Sequence, residues 1–280
     1  MIAASDLRSR PQAVRINGIE LHYVECGTGP PLVLIHGGIG DYRSWGRQLE
    51  AFSRHFRVIS YSRRHSYPNH NPPAGKDYSA LTDGADLVDF IGALRLGRAH
   101  LVGASYGAYA ALVVAIQQPA RVRSLVLVEP PVHRWLLDSP EGQVLFRQLL
   151  ATVLQPARSA FENGQVEHAV RLFADGIGGA GTFDTLPRAT RLDNAGAIRA
   201  IVEAADPFPM LAREALHSIN LPTLLIEGRH TTPVHSLVND ALARCLPGIR
   251  RVIIDRSAHS PARENAEDFN RAVIRFLTAI

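Results

Sequence analysis

Gly103-Ala104-Ser105-Tyr106-Gly107 stands between two segments of different habit. Before it, Ala99-His100-Leu101-Val102 is a short strand pattern. After it, Ala108 to Ile116 is a long, Ala-rich helical stretch that ends before Pro119. A G-x-S-x-G run between strand and helix is a nucleophile elbow. The turn is tight enough to strain the serine backbone, and its flanking positions must be small to let strand and helix pass closely. The serine hydroxyl is thereby held at the tip of a sheet, with the Tyr106 amide at the start of the helix.

Outward from the elbow, apolar runs recur at Pro31-Leu32-Val33-Leu34-Ile35, Arg57-Val58-Ile59-Ser60-Tyr61, Ser124-Leu125-Val126-Leu127-Val128, Thr223-Leu224-Leu225-Ile226 and Arg251-Val252-Ile253-Ile254. Continuous runs of this kind suit strands covered on both faces. Val14-Arg15-Ile16 and Ile19 to Val24 flank Asn17-Gly18, a two-residue hairpin signal. Helical patterns such as Asp83 to Leu94 fall between most of the runs. The alternation predicts an α/β fold: a mostly parallel, eight-stranded sheet with helices on both faces. It breaks once, from Val132 to about Asn220, where no strong strand pattern occurs. We expect a core domain in two parts, residues 1–131 and 221–280, with a helical cap at 132–220 inserted after strand six.

A chain of 280 residues with 46% hydrophobic content suffices for one such domain. No run approaches the roughly 18 apolar residues that cross a bilayer, and Met1 to Pro11 has no secretory h-region. Cys26 and Cys245 follow no metal or redox spacing and read as reduced thiols. The expected location is cytoplasmic, with no membrane partner. Lys76 is the only lysine, so arginine supplies all but one of the 30 basic residues. Those arginines are dispersed rather than clustered with aromatics, which argues against a nucleic-acid partner. No metal-ligand spacing and no G-x-G-x-x-G at a strand end is present, so neither metal nor cofactor is expected.

A serine hydroxyl needs a general base within hydrogen-bond reach. His259, in the loop after the last strand and before the final helix (Ala266 to Leu277), is the candidate. An oxyanion needs two donors. Tyr106 supplies one backbone amide, and His36-Gly37-Gly38 after the third strand supplies the other through Gly38. His36 itself reads as structural, bonding within its loop.

With these parts in place the chain resembles the alpha/beta-hydrolase superfamily over nearly its whole length. The resemblance rests on His36-Gly37-Gly38, the elbow at Ser105, the strand start Leu221-Pro222-Thr223-Leu224-Leu225-Ile226 and His259. Most relatives place a triad acid after the seventh strand in a G-x-x-D pattern. Here Gly228-Arg229-His230-Thr231 puts an uncharged threonine there, unable to stabilise an imidazolium. Some members carry the acid after the sixth strand, which here ends Leu127-Val128-Glu129. Glu129 is therefore the expected acid, an arrangement similar to zearalenone-type lactone hydrolases, with Glu227 and Asp255 left as alternatives. A second departure is Ser60 to Asn69, where relatives have an Asp and a Gly-rich turn. Arg64 and His65 in it either order a surface loop or reach the pocket.

The resemblance implies a carboxylic ester or lactone hydrolase with a Ser105-His259-Glu129 triad, working on a small-molecule substrate through an acyl-enzyme. Trp135, Phe183, Phe208 and Met210 in the cap are expected to line an apolar pocket. Two other readings stay open, because fold does not dictate function: a cofactor-independent dioxygenase or lyase, and a non-catalytic ligand-binding protein.

Overall fold

The computed structural model describes residues 11–280; the reading of residues 1–10 as free of a secretion signal lies outside the described residues. Eight strands form one sheet: β1 (Gln12–Ile16), β2 (Ile19–Cys26), β3 (Pro31–Ile35), β4 (Arg57–Tyr61), β5 (Ala99–Ala104), β6 (Val122–Val128), β7 (Thr223–Gly228) and β8 (Arg250–Ile254). Their order is β1-β2-β4-β3-β5-β6-β7-β8. Strand β2 runs antiparallel to β1 and β4, and every other pairing is parallel. Asn17 and Gly18 both take positive φ (43° and 80°) in the β1–β2 turn, the backbone that a tight two-residue hairpin requires.

The continuous apolar runs follow from burial on both faces. Val33, Ile35, Ile59, Leu101, Leu125, Leu127 and Leu225 point to one side, where α2 (Ala80–Ala93) and α3 (Tyr106–Gln117) pack. Their neighbours Leu32, Leu34, Val58, Val102, Val126, Leu224 and Ile226 point to the other, against α1 (Gly46–Ser53) and the helix Ala266–Leu277. Alternation by two along each strand thus builds two cores from one sheet.

Between β6 and β7 the chain forms only helices and loops. It includes α4 (Pro140–Leu149), a π turn at Leu150–Leu154, α5 (Gln155–Glu162) and α6 (Val166–Gly178). Among the described residues no helix is long and apolar enough to cross a membrane. Cys26 and Cys245 are free thiols.

Candidate active site

Ser105 follows β5 with φ 49° and ψ −118°, a left-handed backbone rare outside glycine. Sterics explain the glycines around it. A Cβ at Gly103 would lie 2.5 Å from the Gly107 carbonyl oxygen, and one at Gly107 would lie 2.3 Å from that of Ile35. The elbow is tied to the next strand by Ser105 N–H, which donates to the Val128 carbonyl at 2.7 Å.

One residue beyond β6, Glu129 also takes positive φ (46°) and is fully buried. Its carboxylate accepts three hydrogen bonds. His259 Nδ1–H donates to Oε2 at 2.6 Å, the Thr231 hydroxyl to the same oxygen at 2.7 Å, and the Gly228 amide to Oε1 at 2.9 Å. Thr231, at the fourth position of Gly228-Arg229-His230-Thr231, thus donates to a carboxylate rather than providing one. Gly228 lets the β7 tip meet the loop that carries His259, since a Cβ there would fall 1.9 Å from the Ala258 carbonyl oxygen. The other two acids are engaged elsewhere. Glu227 is held by Arg251 and Asn239, and Asp255 pairs with Arg229 at the surface.

With Nδ1 donating to Glu129, His259 directs the lone pair of Nε2 away from the carboxylate. That nitrogen is buried and has no hydrogen-bond partner among the described residues, the Ser105 hydroxyl included. Nucleophile–base bonds are often long before substrate arrives.

His235 stacks face to face on His259, ring centroids 4.0 Å apart and planes 15° apart. His235 Nε2–H donates to the Ile177 carbonyl of α6 at 3.3 Å. His133 stacks on the far side of His235 with centroids at 6.0 Å. No local motif marks either histidine: each stands four residues beyond a site residue, Glu129 or Thr231, and only the fold stacks the rings. Glu129, His235 and His259 bring ligand atoms within 4.8 Å of one another. Parallel rings, however, point their in-plane lone pairs alongside each other rather than at one ion, and the carboxylate already holds three donors.

Burial pushes His133 down to about 3, with the neighbouring His259 adding to the shift, and pushes His100 down to about 4. His36 and His235 are lowered for the same reason. Each is neutral when folded and protonates near 6.5 when unfolded. The unfolded chain thus binds more protons between the two values, and the stability gained from neutral burial is complete above pH 6.5 and lost as pH falls. We expect each of these histidines to remove on the order of 1.4 kcal/mol per pH unit below 6.5. Thermal unfolding midpoints across pH 8 to 4 check this: a flat profile between 6.5 and 5 would contradict it.

A cavity of about 1000 Å³ opens above Ser105 and His259. Its wall includes Gly38, Tyr106 and His133 from the sheet side, and Leu149, Leu154, Phe173 and Ile201 from the helices after β6. The π turn explains one pair: its wider winding brings residues five apart, Leu149 and Leu154, to one face. Phe208 lies on the wall as expected, edge-on to the Tyr106 ring at 5.2 Å. Trp135, Phe183 and Met210 do not, which corrects the expectation for those three. The buried Trp135 indole donates to the Leu211 carbonyl, Phe183 is enclosed between the guanidiniums of Arg171 and Arg191, and Met210 faces solvent at 56% exposure. Arg64 grips Asp86 and His65 packs on Tyr78, so both order their loop away from the wall.

His36 is locked by two bonds. Its Nε2 accepts from the Arg63 backbone amide at 3.0 Å, so its Nδ1–H donates to the Gly37 carbonyl at 2.8 Å. The Gly38 and Tyr106 amides donate to no backbone acceptor among the described residues outside regular elements. Tyr106 opens α3, where the first amides lack intrahelical partners.

Comparison with known proteins gives a consistent result. A family model for the alpha/beta hydrolase fold matches residues 30–266. The chain is 27% identical over 267 residues to RutD of Pseudomonas savastanoi pv. phaseolicola, named as a candidate carbamate hydrolase, covering 93% of this chain and 98% of that one. It is 28% identical over 279 residues to a 2-hydroxy-6-oxononadienedioate/2-hydroxy-6-oxononatrienedioate hydrolase of Burkholderia vietnamiensis, covering 92% and 91%. Among solved structures, a bromoperoxidase from Bacillus anthracis superposes with a TM-score of 0.78 at 26% identity, covering 96% of this chain and 100% of that one.

Proposed function

This chain belongs to the alpha/beta-hydrolase family and is a hydrolase of that fold, and from that premise we propose that it cleaves an ester or lactone by way of an acyl-enzyme. The observation that carries the reading is the 2.6 Å contact between Glu129 Oε2 and His259 Nδ1, beside a serine in the strained elbow conformation. Ser105 Oγ attacks the acyl carbon while His259 Nε2 takes its proton. Glu129 keeps the imidazole in the required tautomer and stabilises the imidazolium. The Gly38 and Tyr106 amides receive the charge that develops on the carbonyl oxygen. The tetrahedral intermediate collapses as His259 returns the proton to the departing alcohol oxygen. Water, deprotonated by the same nitrogen, then releases the acid and frees the serine.

Residues 132–220 act as a cap in this reading, roofing the cavity and excluding water. A volume of about 1000 Å³ lies at the upper end of small-molecule sites. Its apolar wall favours a bulky, weakly polar acyl group or a large lactone ring, the substrate class of the zearalenone-type enzymes that also place the acid after strand six.

The test is labelling by a fluorophosphonate together with turnover of a panel of p-nitrophenyl esters and lactones. We expect Ser105 to carry the label and at least one bulky ester or lactone to be hydrolysed. Absence of label with no turnover would favour a binding protein. Oxygen uptake on a heteroaromatic ring without labelling would favour a dioxygenase. The wall also predicts selectivity. Leu154→Ala and Phe208→Ala should change the kcat/KM ratio between short and long acyl esters by roughly tenfold or more, since single methylenes in such pockets already count for about that much. An unchanged ratio in both variants would remove these residues from the substrate site.

A further inference from the structure

Arg63 follows β4 by two residues and is among the most buried side chains in the molecule, at 1% exposure. A guanidinium so buried needs its charge and donors answered. Asp83 of α2 answers the charge, with Nη1 donating to Oδ2 at 3.0 Å, and the Tyr78 hydroxyl lies 3.3 Å from the same nitrogen while itself bonding Asp83. The remaining contacts lead to the active site. Nη2 donates to the Gly37 carbonyl at 3.2 Å, and the guanidinium plane lies 4.2 Å over the Tyr106 ring. The Arg63 backbone amide also holds His36 in the tautomer that donates to that same Gly37 carbonyl.

The Gly37 carbonyl and the Gly38 amide belong to one planar, trans peptide, so they point in opposite directions. Pinning the carbonyl from behind with two donors aims the Gly38 N–H forward. A Cβ at Gly37 would lie 3.5 Å from Ser105 Cβ, so this peptide sits directly against the nucleophile. A glycine pair has little conformational preference of its own and would otherwise be free to flip. We propose that Arg63, clamped by Asp83 and Tyr78, is the positioning residue of the oxyanion site: it fixes the Gly37–Gly38 peptide in the donating orientation. Charge assistance also polarises that peptide, strengthening the amide as a donor. This inference rests on the acyl-transfer reading above, and that reading is tested on the wild-type protein before any variant is made.

Arg63→Lys keeps a cation beside Asp83 but replaces a fork with a single head that cannot also reach the Gly37 carbonyl. Removing an oxyanion donor outright costs 10²- to 10³-fold in kcat, so misaiming one should cost about 10- to 100-fold. We expect KM to stay within about threefold. Affinity for a boronic acid, which forms a tetrahedral adduct on the serine, should fall by the same factor as kcat/KM, while affinity for the carboxylic acid product stays level. Added guanidinium should restore part of the rate. The double variant Arg63→Met/Asp83→Leu provides a second readout if the lysine variant does not fold, because removing both buried charges together disturbs the fold far less than unpairing one. It should show the same split between boronate and product. Equal weakening of both ligands, or full kcat in a folded variant, would overturn the proposal and leave Arg63 a purely structural residue. Loss of labelling and turnover in the wild type would instead overturn the acyl-transfer reading.

Discussion

Ser105→Ala is expected to lower kcat by about 10⁶-fold, the scale on which serine hydrolases lose rate when the nucleophile is removed. The substitution deletes only the oxygen. Alanine keeps the Cβ that already occupies the φ 49° position, so backbone strain is the same in both proteins. The tie from this residue's amide to Val128 is a main-chain bond and survives. Stability should therefore shift by less than about 1 kcal/mol, as surface-type changes without new voids do, and circular dichroism and the thermal midpoint should match wild type. Steady-state rates on the best ester of the panel check the first part, with fluorophosphonate labelling as an independent readout. More than a tenth of wild-type activity in the variant would mean that another group performs the attack.

Glu129→Gln should lower kcat by roughly 10³ to 10⁴, the loss seen when a triad acid keeps its shape and loses its charge. The local bonding sharpens the expectation. Glu129 accepts from His259, Thr231 and Gly228, all of them donors. A glutamine amide offers one oxygen and two hydrogens, so it must confront at least one donor with another. Either the amide NH2 faces His259, driving it to the wrong tautomer, or it faces the Gly228 amide, which loses its buried acceptor at a cost of about 1–3 kcal/mol of stability. Glu227→Gln and Asp255→Asn should each change kcat by less than about tenfold, because their partners are Arg251, Asn239 and Arg229 rather than the imidazole. Parallel rate measurements on the three variants test the assignment. A larger loss at Glu227 or Asp255 than at Glu129 would move the acid.

The strands were legible because each is buried on both faces and so reads as an unbroken apolar run. The elbow was legible because steric contact dictates both its glycines. The proposed acid was harder to read: Glu129 rests on a threonine standing where a carboxylate is commonly found and on its place just beyond β6, while Glu227 near the end of β7 lies on the same edge. His133, His235 and Arg63 left no trace in local sequence, since their contacts are made with residues far along the chain or through backbone carbonyls. Size and apolarity drew attention to Trp135, Phe183 and Met210, but neither property says which wall a side chain faces. The π turn that sets Leu149 beside Leu154 is likewise a tertiary outcome, with no signature among its five ordinary residues.

Thr231 donates its hydroxyl to the very oxygen of Glu129 that holds His259. This makes the two acid positions found across the family mutually exclusive in this chain. An aspartate introduced alone at 231 would set a second carboxylate against the first, and two such groups in one buried site cannot both ionise. Removing Glu129 alone leaves the imidazole without a partner. In the proposed triad, each single step away from the present arrangement is therefore expected to lower activity. An aspartate at 231 is compatible with that site only together with loss of the Glu129 charge, so the pair of positions behaves as one unit rather than two.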